Sequence, residues 1–269
     1  MPVSLQEIIS ATRRKVEAVS RATSLRELER LAQVHTPRGF ARALKDSSAN
    51  RIAVIAELKK ASPSRGLIRP DFDVARLARD FEQAGATALS VLTDEEFFQG
   101  SLENLQIASR SVSLPCLRKD FIVDEFQILE SRAHCADAIL LIVAALTDPQ
   151  LAACRDRARE LELDVLCEVH DADELRRALA LGFDLIGVNN RDLRSFKVDI
   201  ETSLRLADSF PDGVIRVTES GIHSPSDVAR LRSHGYQAFL IGESLMKADA
   251  PAEALRDLMM ELPNAVIAK

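Results

Sequence analysis

The sequence predicts an α/β chain in which eight strand–helix units close into a (β/α)8 barrel behind a short helical extension. Three observations carry that prediction. Short, nearly continuous apolar runs, as found in strands buried on both faces, recur from about residue 50 onward. Amphipathic stretches with helix start and stop signals separate them. The length of 269 residues suits a barrel of this kind, which needs roughly 250.

The first 48 residues lie outside the repeat. Leu5, Ile8, Ile9, Thr12 and Val16 fall on one helical face. Ser24 and Glu27 have the spacing of a capping box, and Arg38–Leu44 suggests a third, short helix. Their apolar faces must cover a barrel end or the gap between outer helices. Residues 1–48 are therefore read as an extension of a single domain spanning 1–269. The strands expected after it are Ala53–Leu58, Ala88–Leu92, Leu114–Arg118, Ala138–Val143, Asp164–Cys167, Asp184–Val188, Val214–Thr218 and Ala238–Ile241.

Between the strands the grammar is helical. Val74, Leu77, Ala78 and Phe81 repeat at i, i+3, i+4, i+7, and Gly85 supplies the stop. Thr147-Asp-Pro149 and Ser224-Pro225 place a capping side chain just before a proline of the first turn. Asp171 opens a stretch ended by Gly182, and Gly235 ends the one that begins near Pro225. Alternation without long structureless loops gives a parallel sheet, either closed or open and doubly wound. An open dinucleotide-binding sheet would carry GxGxxG after a first strand. None is present, and eight units favour the TIM barrel.

Composition narrows the function classes. Apolar residues make up 46% of the chain and charged residues 28%, the balance of a globular protein able to bury a core. With 11 Phe, one Tyr and no Trp, Leu, Ala, Val and Ile must fill it. A net charge of −6 without a basic, aromatic-interleaved stripe argues against nucleic acid as a partner. No apolar run reaches the length of a membrane span, and the N-terminus lacks the pattern of a signal peptide. A cytoplasmic monomer, with no membrane partner, is expected. Cys116, Cys135, Cys154 and Cys167 form no CxxC pair and read as small buried apolar residues. The five histidines form neither HxH nor HExxH, so no metal site is expected.

In such a barrel the reacting groups come from strand C-termini and the loops after them. Glu57 and Lys59 end the first strand two residues apart and so share a face. Arg118-Lys119-Asp120 follows the third strand, Glu168 the fifth, and Asn189-Asn190-Arg191 the sixth. Glu219-Ser220-Gly221 closes the seventh, and Gly242-Glu243-Ser244 the eighth. Any one of these charges would be unremarkable at a solvent-facing strand end. Their company is harder to dismiss, because Glu57, Lys59 and Glu168 adjoin residues that fill the barrel and should converge. Mixed lysines and carboxylates in close quarters can tune pKa values for acid–base work. Gly221 and Gly242, in the loops after strands seven and eight, suit a phosphate site, with Gly242 opening a short helical run. As plain turn and packing glycines they would need no ligand. The loop Lys60–Pro70 is basic and rich in turn residues, fitting either a lid over an anionic substrate or an ordinary surface loop.

Several of these stretches, in order, resemble the signatures of the indole-3-glycerol phosphate synthase family. They are Glu57-Leu-Lys-Lys-Ala-Ser-Pro-Ser64, Leu92-Thr-Asp-Glu-Glu-Phe-Phe-Gln-Gly-Ser101 and Leu117-Arg-Lys-Asp-Phe-Ile122. Ile186-Gly-Val-Asn-Asn-Arg-Asp-Leu193, Thr218-Glu-Ser-Gly-Ile222 and Ile241-Gly-Glu-Ser-Leu-Met246 continue the match. The resemblance covers essentially the whole chain, extension included. The related barrels phosphoribosylanthranilate isomerase and tryptophan synthase α lack the first-strand motif with its two charges. His134-Cys135 at a helix end, Phe126 for a frequent Tyr and Thr218 for a frequent Ser depart from the family pattern, away from the charged cluster.

The resemblance implies conversion of 1-(2-carboxyphenylamino)-1-deoxyribulose 5-phosphate to indole-3-glycerol phosphate, carbon dioxide and water, in tryptophan biosynthesis. It implies Lys119 as the general acid for ring closure. Lys59 and Glu168 would act as acid and base in the later decarboxylation and dehydration, with Lys59 also near the phosphate. Glu57 would orient the lysines, Asn189 would hold a hydroxyl or carboxylate, and Arg191, Glu219 and Ser220 would complete the polar wall. Phe98, with Ser62 and Pro63, would line the substrate, while backbone N–H groups near Gly221, Gly242 and Glu243 would take the phosphate. No step needs a redox group or electron sink, so no cofactor is expected. Two other readings remain: a Schiff-base aldolase using Lys119 or Lys59, and a non-catalytic barrel binding a phosphate ligand or a partner.

Overall fold

In a computed structural model, residues 4–193 and 195–260 are described. Residues 1–3 and 261–269, which the sequence reading assigns to the same domain, lie outside the described residues, as does Arg194. Eight parallel strands form a closed barrel. They are β1 (Ala53–Leu58), β2 (Ala88–Leu92), β3 (Cys116–Lys119), β4 (Ala138–Ile142), β5 (Asp164–Val169), β6 (Leu185–Asn189), β7 (Ile215–Glu219) and β8 (Ala238–Ile241). Each pairs with its sequence neighbours, and β1 pairs with β8, Ala53 opposite Ala238, to close the ring.

The helices are α1 (Leu5–Ala22), α2 (Leu25–Ala32), α3 (Phe40–Ser48), α4 (Val74–Ala84), α5 (Glu95–Phe98), α6 (Leu102–Ser111) and α7 (Glu125–Ala133). They continue with α8 (Asp148–Glu160), α9 (Ala172–Ala180), α10 (Glu201–Leu206), α11 (Pro225–Ser233), α12 (Glu243–Lys247) and α13 (Pro251–Met259). Helices α4, α6 to α11 and α13 each follow one strand. None of the described helices is long and apolar enough to cross a membrane.

The strands differ from expectation mainly at their C-terminal ends. Lys119, Glu168, Asn189 and Glu219, expected just beyond the apolar runs, lie inside the hydrogen-bonded ladder. A polar side chain does not end a strand when a neighbouring strand still pairs with its backbone. These groups are therefore held by the sheet itself, not by loops.

Period-two alternation then fixes which way each residue points. Ala53, Ile55, Leu117, Leu166, Val217 and Leu240 fill the interior, while Val54, Ala56 and Leu58 pack outward against the helices. At the opposite end from the strand C-termini, Phe40 and Leu44 of α3, both wholly buried, join the interior cluster and plug the floor. Asp137 anchors the segment that leads into α3. Its carboxylate accepts hydrogen bonds from the Arg38 backbone N–H (2.7 Å), from Arg38 Nε (3.0 Å) and from the Cys116 N–H (2.6 Å). His35 Nε2 meets it at 3.0 Å. Burial would raise the Asp137 pKa, but His35 and Arg38 outweigh it and hold the group below its usual range. Asp164 accepts from the Ala41 N–H at 2.9 Å.

The helix punctuation follows the sequence with two departures. Asp73, Asp171 and Ser224 accept from the backbone N–H groups of Arg76, Glu174 and Asp227. Ser24 likewise accepts from Glu27, but Glu27 turns its carboxylate to Arg30 (2.9 Å), leaving half of the expected capping box. Helix α7 ends with Cys135 at φ +65°, the left-handed position that glycine holds at Gly182 and Gly235. All four cysteines are buried, unpaired thiols, and burial pushes Cys116 up to about 12. Phe126 packs beside Leu28, Ala32 and Leu129 where α2 meets α7. The Thr218 hydroxyl bridges Asn190 Nδ2 (3.1 Å) and the Ser203 hydroxyl (2.8 Å), tying β7 to the loop after β6.

Candidate active site

The inward-facing register that carries the apolar interior ends, at the strand C-termini, in a polar layer. Ile55 is followed two residues on by Glu57, Leu117 by Lys119, Leu166 by Glu168, and Val217 by Glu219. These side chains converge on a cavity of about 360 Å³, a volume suited to a small ligand. All the site residues singled out from the sequence line it. Glu57 and Lys59 come from β1 and its end, Ser62 and Pro63 from the following loop, and Phe98 from α5. Lys119, Glu168 and Asn189 come from β3, β5 and β6; Arg191, Ser220, Gly221, Gly242 and Glu243 complete the rim, with Glu219 on β7.

The charges form two sets. Lys59 Nζ lies 2.5 Å from Glu57 Oε2. Lys119 Nζ lies 2.9 Å from Glu168 Oε2 and 3.5 Å from Glu219 Oε2. Glu57 thus pairs directly with Lys59 alone, not with both lysines. Burial works against the Lys119 ammonium, but Glu168, Glu219 and Glu57 outweigh it and raise its pKa above the usual lysine range. Burial also raises a carboxyl, yet Lys119 and His170 hold Glu168 well below the ordinary carboxylate range. Glu219 goes the other way: burial lifts it, and the charges of Glu168 and Glu57 add to the lift against Lys119. Two carboxyls beside one ammonium are thus driven apart, Glu168 downward and Glu219 upward.

Two glycines make room for this arrangement. A Cβ at Gly187, in register with Glu168 on the next strand, would collide with Glu219 Oε1. That oxygen is buried and has no hydrogen-bond partner among the described residues. A Cβ at Gly242 would collide with Glu57 Oε2. Gly242, singled out for phosphate, has an independent reason to be glycine.

The rim after β6, β7 and β8 is cationic around one carboxylate. Glu243 meets Lys247 at 2.6 Å, Arg65 at 3.0 Å and Arg191 at 3.1 Å. Burial would raise its pKa, but Lys247, Arg65 and Arg191 lower it. Asn189 accepts from the Arg191 N–H at 3.0 Å, orienting the turn. Ser220 and Gly221 both adopt left-handed backbone, φ +67° and +77°. Loop 60–70 is a small hairpin, Ala61–Ser62 against Gly66–Leu67. Its base is pinned by Arg69, which donates to the Ala248 carbonyl at 2.8 Å, and its exposed tip reaches Glu243 through Arg65.

One wall is apolar. Phe98 and Phe121 stand with ring centroids 6.2 Å apart at 42°, and Leu5 and Ile8 of α1 close over the same cavity. The sequence reading did not assign Phe121, Leu5 or Ile8 to the site. Phe121 lies in the stretch Leu117–Ile122 at the end of the third strand, and Leu5 and Ile8 on the apolar face of α1, whose periodicity does not say which end of the barrel it covers.

Known proteins resemble this chain both in sequence and in fold. The family model for indole-3-glycerol phosphate synthase matches residues 5–258. A protein of that name from Koribacter versatilis is 61% identical over 96% of this chain and 100% of its own length. One from Acinetobacter baumannii is 49% identical over 94% of each chain. Among solved structures, 3-hexulose-6-phosphate synthase superposes with a TM-score of 0.62 at 12% identity, covering 77% of this chain and 98% of that one. Thiamine phosphate pyrophosphorylase from Pyrococcus furiosus gives 0.59 at 15% identity, over 78% and 94% respectively. These two share the fold; the sequence relatives and the family model show that this chain belongs to the indole-3-glycerol phosphate synthase family.

Proposed function

We infer that this chain converts 1-(2-carboxyphenylamino)-1-deoxyribulose 5-phosphate to indole-3-glycerol phosphate, carbon dioxide and water, a carboxy-lyase step of tryptophan biosynthesis. The observation that carries the reading is the pair of buried ammonium–carboxylate sets, Lys59–Glu57 and Lys119–Glu168–Glu219, facing one cavity. Ring closure needs a proton at the ketone oxygen as the carboxyl-bearing ring carbon attacks the carbonyl carbon. Lys119 is charged through neutral pH and supplies it. Carbon dioxide then leaves and the ring regains aromaticity. Loss of the new hydroxyl as water needs a second donor, Lys59, and a base for the proton lost from the adjacent carbon, Glu168. Glu57 holds Lys59, Asn189 binds a hydroxyl or carboxylate, and Glu219 and Ser220 complete the wall.

Phe98 and Phe121 offer a face to the anthranilate ring, beside Ser62 and Pro63. At the far rim, Lys59, Arg191 and the backbone around Gly221, Gly242 and Glu243 receive the phosphate. Residues 1–48 belong, on this reading, to the same folding unit, since α3 plugs the floor and α1 roofs the cavity.

A Schiff-base lysine must be neutral to attack a carbonyl, and enzymes that use one depress its pKa. Lys119 is shifted the opposite way, so the aldolase reading is not favoured. The test is to incubate the purified chain with the carboxyphenylamino sugar phosphate and follow indole fluorescence. The expected result is product formation; no signal above background would end this reading. Borohydride added during turnover should trap no adduct on Lys59 or Lys119.

A further inference from the structure

His170 follows β5, two residues beyond Glu168, and its side chain is 12% exposed. Its backbone N–H donates to Glu174 Oε2 at 2.8 Å, and its Nδ1 meets the same oxygen at 3.0 Å. Across the ring, Nε2 faces Glu168 Oε1 at 3.3 Å, an ion-pair distance without hydrogen-bond geometry, so this buried nitrogen has no hydrogen-bond partner among the described residues. A neutral imidazole has one donor and one acceptor nitrogen, so either tautomer would aim a lone pair at a carboxylate. Only the imidazolium avoids that repulsion and sets a positive charge against both carboxylates.

We propose that His170 is a positioning residue of the synthase reaction, an imidazolium clamped between Glu174 and Glu168 that keeps the Glu168 carboxylate ionised and turned toward Lys119. The proposal rests on the synthase reading of the cavity. A chain of alternating charge then runs outward from the reacting groups: Lys119, Glu168, His170, Glu174. It ties the acid–base centre of the barrel to α9, where the Glu174 N–H is itself fixed by Asp171 (2.9 Å). Glu219 from β7 is the other charged group facing Glu168, and Glu57 from β1 in turn acts on Glu219. Arg177, further along α9, turns away to Asp148 and to the carbonyls of Val143 and Leu146.

Burial alone would favour the neutral ring, but Glu168 and Glu174 outweigh it and lift its pKa to about 10. The sign follows from the raised value. The stabilisation from the charged ring is fully present below the ordinary histidine range and is lost as pH rises through about 10.

Two variants test this. Glu174→Gln leaves the ring in place but removes one of its two anions, which should lower its pKa by about one to three units. In the wild type, ring ¹⁵N signals of labelled histidine should show both nitrogens of His170 protonated at pH 8. In Glu174→Gln that proton should be lost one to three units lower, and kcat should fall across the same window while KM holds. His170→Gln identifies the signal by its disappearance and should lower kcat and kcat/KM together. Should that variant not fold, Glu174→Gln still carries the titration. A neutral ring at pH 8 in the wild type, or a Glu174→Gln rate profile superimposable on the wild type, would overturn the proposal. Absence of turnover by the wild type would instead remove the synthase reading, and the ring titration would still report on the clamp.

Discussion

A methyl group at Gly242 has nowhere to go but into the Glu57 carboxylate, whose partner is Lys59. Gly242→Ala should therefore leave the barrel folded and displace the Glu57–Lys59 pair, which lowers the rate if that pair reacts as proposed. A misplacement of about 1 Å costs on the order of 10²-fold in rate; steady-state kinetics beside an unchanged circular dichroism spectrum would read it. Lys119→Met removes the ammonium shared by Glu168 and Glu219 and should lower kcat by roughly 10²–10⁴-fold, the worth of a general acid. A near-normal rate would reassign the acid. At this scale the sequence was informative about identity and less so about partners. Glu57, Lys59, Lys119 and Glu168 could be named because they end apolar runs. That Lys59 pairs with Glu57, or that Glu168 lies between two cations, depends on side chains from strands far apart in the chain. His170 was visible only as a histidine without a metal pattern.

Among the elements, helix α7 shows how a departure from family pattern is accommodated. Cys135 holds the left-handed position after the helix, a conformation that costs an L residue about 1–2 kcal/mol and glycine almost nothing. Cys135→Gly should stabilise the chain slightly, by at most about 1 kcal/mol after the extra chain entropy of glycine is counted, and raise the midpoint of thermal unfolding. A lowered midpoint would show that the buried Cys135 side chain contributes more packing than its backbone strain removes. Strand and helix positions were legible because each repeats a short local signal. Their ends were less so. The sequence reading stopped β5 at Cys167 and β7 at Thr218, whereas neighbouring strands keep Glu168 and Glu219 in the ladder. Half of the capping box at Ser24 was lost for a similar reason, since Arg30 competes for Glu27.

For the molecule as a whole, the charged cavity sits at the strand C-termini and the plug at the floor. Removing residues 1–48 would uncover the interior below Phe40 and Leu44, each worth about 1.5–3 kcal/mol when buried. It would also leave Asp137 without Arg38, and breaking a buried pair costs about 3–5 kcal/mol. Together these rival the 5–15 kcal/mol that holds a domain folded. The truncated chain is expected to lose its cooperative denaturant transition. A truncated barrel unfolding at nearly the denaturant concentration of the full chain would make the extension a separate unit. The eightfold alternation announced the barrel; which of its ends the extension covers was not written in any local pattern, because α1 and α3 serve opposite ends.

With its interior packed and its floor plugged by Phe40 and Leu44, the barrel is open to ligand at one end only. Substrate, carbon dioxide, water and product must all pass one mouth, across which Arg65 of the loop after β1 meets Glu243. Traffic and chemistry are thereby placed in series. However fast the protons move inside, everything that enters or leaves the site shares that single opening.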